Sequence, residues 1–356
     1  MQLQALFIQN FRSYKQYVHH FKNKLTVFVG ANGIGKTNLL EAVQLLSLTE
    51  SFRVSSVEDL IKLNTPWAKV AGKINEDKLE ILLTPGVLHG KKTSKKRFFI
   101  NSNPKTRKDF LSRFNTVLFE PRDIELITSG PSRRRKFLDQ ILSQVDWQYA
   151  QSLLLYQKGL RQRNKLLKDI VKGRAKTTQL EYWNRMLVKN GDLLQIKRAD
   201  LIIKLNNLLQ KFDFGQKIQF SLVYKASTIT AERLQQHLQA ELALARTLIG
   251  PQKDDFEILF KHPDLQGKQD WYQIKDYASR GQQRLGVLAI KLSELEFINK
   301  SQDQAPVLLL DDIFSELDDQ NDQLVLDLIK KHQTIITATE INSLKNISDA
   351  EIVRLG

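Results

Sequence analysis

The stretch GANGIGKT, Gly30 to Thr37, constrains this chain more than any other part of it. It fits the phosphate-loop pattern GxxxxGK[ST] at Gly30, Gly35, Lys36 and Thr37. An apolar run, LTVFV from Leu25 to Val29, precedes it as a buried strand, and Leu39, Leu40, Val43 and Leu46 follow at helical spacing. Strand, glycine-rich turn and helix in that order predict a nucleotide-binding α/β fold. The glycines let the N–H groups of Asn32 to Lys36 curl around a β-phosphate at a helix N-terminus, and Lys36 adds a point charge for the β and γ oxygens. Thr37 offers its hydroxyl to Mg²⁺. Gly30, Ala31, Asn32, Gly33, Ile34, Gly35, Lys36, Thr37 and Asn38 are therefore the candidate contacts to ATP.

The other half of such a site lies far downstream, in APVLLLDDIFSELDD from Ala305 to Asp319. Val307 to Leu310 read as a buried strand whose carboxyl end delivers Asp311 and Asp312, and ligands bind at such ends. Asp311 is placed to hold a water on Mg²⁺, and Asp312 to orient or deprotonate the attacking water of an in-line hydrolysis. Upstream, in YASRGQQRLGVLAIKLSELEF, Leu285, Leu288, Ala289, Leu292 and Leu295 form a helical stripe. Ser279, Gly281 and Gln282 stand at its start, where a helix N-terminus favours an anion.

A length of 356 residues exceeds what one core usually holds, so two domains, or one with a large insertion, are expected. Lys and Arg number 54 against 39 Asp and Glu, a formal charge of +15 that draws polyanions, nucleic acid first among them. The absence of cysteine excludes disulfides, thiolate catalysis and sulfur-ligated zinc. Neither a signal peptide nor an apolar span of membrane length is visible, which points to a soluble, cytoplasmic chain without membrane partners. His19 and His20 have no third ligand at metal spacing and read as surface histidines.

After Pro121 the chain turns helical. Leu153, Leu160 and Leu167 fall seven apart with Tyr149 and Tyr156 between them, and Leu180, Leu187, Leu194 and Leu201 repeat the spacing beyond the polar break VKGRAKTT. Two helices of roughly 25 residues, each on the order of 37 Å long, would form an antiparallel hairpin. The expected organisation is a head of residues 1–120 and 246–356 and an inserted helical arm domain of residues 121–245. Basic tracts give the DNA-binding candidates: Arg133, Arg134, Arg135 and Lys136, then Arg161, Arg163 and Lys165, with Lys158 and Lys168 nearby. HGKKTSKKR, from His89, reads as a basic hairpin tip. No ring of stacking aromatics stands out, so contact with single- or double-stranded DNA should be backbone-led and salt-sensitive.

Phosphate loop, insertion, S-x-G-Q at a helix start, and carboxylate-ending strand follow the order of ATP-binding-cassette ATPases. With NFRSY, SFR, GPSRRRKFLD, QRNKLLK, GPQKDD and LLLDDIFSELD, the chain resembles the RecF family of bacterial recombination mediators, relatives of SMC ATPase heads. The resemblance implies an ABC-type ATPase head, a phosphate-loop sheet with an antiparallel β subdomain, plus an inserted helical domain with a short antiparallel coiled-coil hairpin. It implies that Arg12 reaches the nucleotide phosphates, that Ser279 with Gly281 caps the γ-phosphate of a partner subunit, and hence that ATP joins a homodimer. It implies slow Mg-dependent hydrolysis, binding to gapped DNA, and work with RecR, RecO and RecA in repair, replication restart and the SOS response. Two departures stand out. Gln252 and Lys253 replace the His and Arg of a GPHRDD pattern, and Thr337 and Thr339 stand where many cassette ATPases carry a phosphate-sensing histidine. The alternative reading is a cassette ATPase powering another machine, a transporter or a chromosome-organising complex, through protein contacts.

Overall fold

The computed structural model describes residues 2–88, 90–111, 113–212, 218–262, 270–302, 304–315, 319–340 and 349–356. Contacts group the chain into two compact units: Met1–Asp123 with Ile298–Gly356, and Ile124–Phe297. The first unit contains β1 (Leu3–Phe11), β2 (Tyr14–His20), β3 (Leu25–Val29), β4 (Ala68–Ile74), β5 (Asp77–Leu83), β6 (Val87–Leu88), β7 (Lys91–Lys92), β8 (Lys96–Ile100), β9 (Asn103–Lys105) and β10 (Thr116–Phe119). The second contributes β11 (Gln219–Lys225), β12 (Asp255–Lys261) and β13 (Tyr272–Gln273). The chain returns to the first for β14 (Val307–Asp311), β15 (Thr334–Ala338) and β16 (Glu351–Arg354).

In the first unit a five-stranded sheet runs in the order β10-β14-β15-β3-β16, all its pairs parallel. Every residue of β3, β14 and β15 is buried, which is why LTVFV, VLLLD and TIITA are nearly unbroken apolar runs. A six-stranded antiparallel sheet follows the order β2-β1-β4-β5-β8-β9. The helix Lys36–Leu48 packs against strands of both sheets, so Leu39, Leu40, Leu45 and Leu46 on its different faces are all fully buried. Each such leucine contributes roughly 1.5–3 kcal/mol. The basic tip is the two-stranded β6-β7 hairpin, although His89 lies outside the described residues. His19 is not on the surface as expected. It is buried against the Phe21 and Phe28 rings with Glu351 3.6 Å away, and burial holds its pKa below the ordinary value.

In the second unit the helices Trp147–Val171 and Leu180–Leu209 form the hairpin. Gly159 lies against Leu187, Gly191 against Tyr156, and Arg163 bonds Asn184, so the two run antiparallel. The seam differs from the expected leucine heptad on the first helix. Tyr149, Tyr156 and Arg163, seven apart, are buried, whereas Leu153 and Leu160 are only partly so. Glycines explain the shift, because Gly159 lies against Leu187 and Met186 and Gly191 lets the Tyr156 ring sit against the second helix. On the second helix Leu180, Leu187, Leu194 and Leu201 are buried as the spacing requires. The sheet β11-β12-β13 and most of the helix Arg280–Ser301 group with these helices, so residues 246–297 associate by contact with the arm rather than with the first unit.

The motif GPQKDD ties this unit together. Asp254 is fully buried and accepts from Arg198 Nη1 (2.8 Å), Gln195 Nε2 (2.7 Å), the Ser227 N–H (2.8 Å) and the Tyr224 hydroxyl. Arg198 also reaches Asp139, the Tyr149 hydroxyl and the Pro251 carbonyl. Gln252 occupies the position of the expected histidine and accepts from the Tyr156 hydroxyl. A buried carboxylate with four donors is fully satisfied; this one joins the second hairpin helix to β11 and the turn after it, and Arg198 extends the network to Asp139 in the helix 131–145 and Tyr149 in the first hairpin helix.

Candidate nucleotide site and nucleic-acid surface

The loop from Gly30 to Gly35 connects β3 to the helix Lys36–Leu48. Gly35 caps that helix at φ +114, where side chains are strained, and a Cβ there would stand 2.9 Å from the Tyr14 hydroxyl and 3.0 Å from Ser13 Oγ. Burial, with Tyr17 beside it, pushes the Tyr14 pKa up to about 12, so the hydroxyl keeps its proton and donates to the Gly35 carbonyl (3.2 Å). Lys36 is buried and folds back over the loop, its Nζ donating to the carbonyls of Gly30 (2.6 Å) and Ala31 (3.2 Å).

At the tip of β14 the Asp311 carboxylate accepts from Thr37 Oγ1 at 3.0 and 3.1 Å and from Thr337 Oγ1 at 2.6 Å. Motifs on separate halves of the chain thus meet. Asp312 adopts a left-handed backbone at φ 50, and its N–H donates to the carbonyl and hydroxyl of Thr337, both at 3.2 Å. Burial raises the pKa of its carboxyl, nearby Lys36 pulls it down, and Asp311 raises it further. The Thr339 N–H donates to the same carboxylate. The two threonines that replace the sensing histidine therefore position the acidic pair, a role their sequence did not announce. The SELD turn beyond it falls mainly on residues 316–318, outside the described residues.

Arg12 sits differently from the expected phosphate contact. Its guanidinium forms a two-pronged pair with buried Glu41 (2.8 and 2.7 Å) and donates to the Asp59 carbonyl. Arg53 is the cation that reading missed. It is exposed, donates to Asn38 Oδ1 (2.8 Å), and is 3.9 Å from Glu41. Asn38 in turn donates to Ser13 Oγ (3.0 Å). The fragments NFRSY and SFR were visible in the sequence, but nothing local says that both arginines converge on Glu41.

In the second unit Ser279 caps the helix Arg280–Ser301. The Gln282 N–H donates to Ser279 Oγ (3.3 Å) and the Ser279 N–H to Gln282 Oε1 (2.8 Å), a reciprocal capping box. Ser279, Arg280 and Gly281 are exposed.

The basic tracts separate into structural and surface groups. Arg163 is corrected outright: it is fully buried, paired to buried Glu241 at 2.6 Å and bonded to Asn184 and Thr247, and no DNA phosphate can reach it. Arg134 grips Asp255 at 2.6 and 2.9 Å and caps two carbonyls, Arg135 bonds the Asp254 carbonyl, and Arg133 lies 3.8 Å from Glu125. Arg134 and Arg135 hold the fold first, and burial lowers the Arg135 pKa. Lys136 is partly exposed on the same helix. Lys158, Arg161, Lys165 and Lys168 are all exposed at spacings of three, four and three, which sets them on one helical face.

The candidate site fits a nucleoside triphosphate with a divalent cation. Lys36 carries a charge that phosphate oxygens can take up from two loop carbonyls, and the oxygen donors Thr37 and Asp311 are the hard set that suits Mg²⁺. A phosphate loop after a buried parallel strand, with a carboxylate-ending strand one place removed in the sheet, defines a P-loop ATPase head of the cassette and SMC class. The model of the RecF/RecN/SMC N-terminal domain matches residues 2–355. The DNA replication and repair protein RecF of Halothermothrix orenii is 35% identical, with 99% of this chain and 96% of that protein covered. RecF of Lachnoclostridium phytofermentans is 34% identical over 97% of this chain and 95% of its own. A solved structure of the recombination mediator RecF with ATP superposes with a TM-score of 0.85 at 33% identity, covering 99% of this chain and 95% of that one. The Smc head domain of Pyrococcus furiosus, at 22% identity and a TM-score of 0.50, shares the fold across 99% of this chain and 94% of its own. The chain belongs to the RecF family. Among the described residues no helix is long and apolar enough to cross a membrane.

Proposed function

We propose that this chain is an ATP-dependent DNA-binding clamp of recombinational repair that dimerises on ATP and hydrolyses it slowly. Residues 1–120 and 246–356 act in this reading as the head, and residues 121–245 as the arm. When bound, Mg·ATP supplies the phosphoryl bond whose cleavage resets the clamp. Lys36 would exchange its carbonyl partners for phosphate oxygens, and Thr37 and Asp311 would hold the cation. The Asp312 carboxylate takes the proton of the attacking water, and its raised pKa suits a base. Exposed Ser279, at the head of its helix, caps the nucleotide of a second copy, so ATP completes the dimer interface. Thr337 and Thr339, which hold the acidic pair without an ionisable group of their own, are consistent with weak turnover.

DNA lies along the exposed face of Lys158, Arg161, Lys165 and Lys168 through backbone contacts. The names of the relatives, DNA replication and repair protein and mediator of the RecFOR pathway, support a role in repair with RecR and RecO; the proposal extends this to RecA at gapped DNA, replication restart and the SOS response, in the cytoplasm. The observation that carries the reading is the meeting of Lys36, Thr37 and Asp311 at the phosphate loop. The test is light scattering with and without Mg·ATP. Lys36→Ala should abolish ATP-induced dimers, and dimers undiminished at saturating ATP would overturn the assignment.

A further inference from the structure

The six-stranded antiparallel sheet packs one face into the core; on the other, Ala5 and Ala71 are buried and the side chains around them are partly or fully exposed. Strand register defines what that outer face carries. Its middle row crosses all six strands as Val18, Phe7, Ala71, Glu80, Phe99 and Pro104. On one side lies the row Gln16, Gln9, Lys69, Leu82 and Arg97. On the other lie His20, Ala5, Lys73 and Lys78. Two residues separate adjacent rows along each strand, about 7 Å.

The chemistry of this face is uneven in a particular way. Phe7 and Phe99 are only partly buried, and Val18 is 44% exposed, where a solvated sheet face would ordinarily be polar. Lys69 and Arg97 flank that row on one side and Lys73 and Lys78 on the other, and among the described residues of this face the one carboxylate is Glu80, which stands in the row beside Phe99. Glu80 lies 3.8 Å from both Lys69 and Lys78 and can neutralise only one charge. The Arg97 guanidinium stacks 5.4 Å from the Phe99 ring centre, so ring and cation present one surface.

We propose that this outer face is a platform for single-stranded nucleic acid, with bases stacked on Phe7 and Phe99 and the backbone held by Lys69, Arg97, Lys73 and Lys78. Aromatic rings flanked by cations suit an unpaired strand, because every base offers a stacking face and the single backbone, crossing the row obliquely, meets cations on each side of it. A duplex keeps its base faces stacked on one another and gains nothing from the rings. An acidic protein would use the cations but leaves the Phe7 and Phe99 rings without a specific partner. This inference rests on the reading that the chain binds DNA, and it adds a second surface, on the first unit, to the basic helix.

The test uses the full chain and a fluorescent oligothymidylate, with a blunt duplex beside it. Phe99→Ala should weaken oligothymidylate binding roughly tenfold while leaving ATP-dependent duplex binding in place. Lys73→Gln with Lys78→Gln should flatten the salt dependence by about 0.7 for each lost contact. Where Phe99→Ala fails to fold, ultraviolet cross-linking of the unaltered chain to a bromodeoxyuridine strand gives the same answer, with adducts on peptides containing Phe7 or Phe99. Unchanged oligothymidylate affinity in the folded variant, or adducts confined to residues outside this sheet, overturns the platform. Loss of ATP-induced dimers in these variants with single-strand affinity intact also overturns it, and assigns the face to a second copy. Binding to no DNA at all would overturn the DNA-binding reading as well.

Discussion

Replacing Arg163 with Met tests whether the basic tract QRNKLLK serves folding or DNA at that position. Both Arg163 and Glu241 have side chains with no exposure, 2.6 Å apart. The guanidinium also donates to Asn184 Oδ1 (2.7 Å) and Thr247 Oγ1 (2.8 Å). Methionine keeps most of the apolar stem but leaves the Glu241 charge buried, which costs about 3–5 kcal/mol. A unit the size of residues 124–297 loses roughly 2–4 °C of melting temperature per kcal/mol, so Arg163→Met should melt roughly 6–20 °C lower. Adding Glu241→Met removes the stranded charge and should restore most of that loss, since an apolar replacement of a buried pair is often near neutral. The assay is helical circular dichroism on heating, with duplex binding measured against salt well below the transition. Folded Arg163→Met should keep the full salt slope, whereas Arg161→Gln should lower it by about 0.9. A variant that melts normally and binds with a reduced slope would refute the structural role and return Arg163 to the DNA surface.

Three further outcomes bear on the nucleotide site. Asp312 has a raised pKa in the fold, so its ionised form is penalised at neutral pH and the penalty vanishes below the unfolded value, near ~3.9. Asp312→Asn should therefore raise the melting temperature at pH 7 and trap ATP dimers, with the thermal gain closing as pH falls toward about 4; a gain that is independent of pH would contradict the burial argument. Gly35→Ala must adopt φ near +114 against Tyr14, and should lose nucleotide binding in equilibrium dialysis while the chain stays folded; binding within twofold of the unaltered chain would show that the loop relaxes. Ser279→Arg loses a helix cap worth about 1 kcal/mol, yet should still bind ATP while failing to dimerise, and equal loss of both would count against completion of the site by a second copy.

How far the sequence could be read depended on whether the physics at each position was local. Gly30 to Thr37 were legible because the phosphate loop works through its own backbone, with Gly35 at a dihedral few residues tolerate. Asp311 and Asp312 were legible because an unbroken apolar run must end somewhere, and charge there marks the strand's carboxyl end. Arg12 was not, because its buried partner Glu41 reads as an ordinary helical glutamate and the pair forms only when β1 meets the loop helix. His19 looked superficial for the same reason, since the rings that cover it come from Phe21 and from β3. Arg163 carried a readable clue: it continues the seven-residue spacing of Tyr149 and Tyr156, and a cation on the buried seam of a helix demands a buried anion. That anion, Glu241, lies in a different helix and bears no mark in sequence.

The same reasoning changes what the net charge of +15 means. Counting lysines and arginines assumes that each one faces solvent. Here Arg134, Arg163 and Arg198 are spent on Asp255, Glu241, and Asp139 with Asp254, joining segments distant in the chain. Each of those arginines carries several fixed donors, whereas the exposed stripe on the hairpin and the outer face of the sheet are mostly lysine. That division follows from chemistry: a rigid, weakly hydrated fork suits a buried carboxylate, while a strongly hydrated ammonium on a flexible stem suits a mobile phosphate backbone. Residue type within a basic tract therefore discriminates better than tract density. In KGLRQRNKLLK, where the buried Arg163 is surrounded by exposed Lys158, Lys165 and Lys168, it separates the fold's cations from those that face solvent, with exposed Arg161 the exception that the salt-slope experiment addresses.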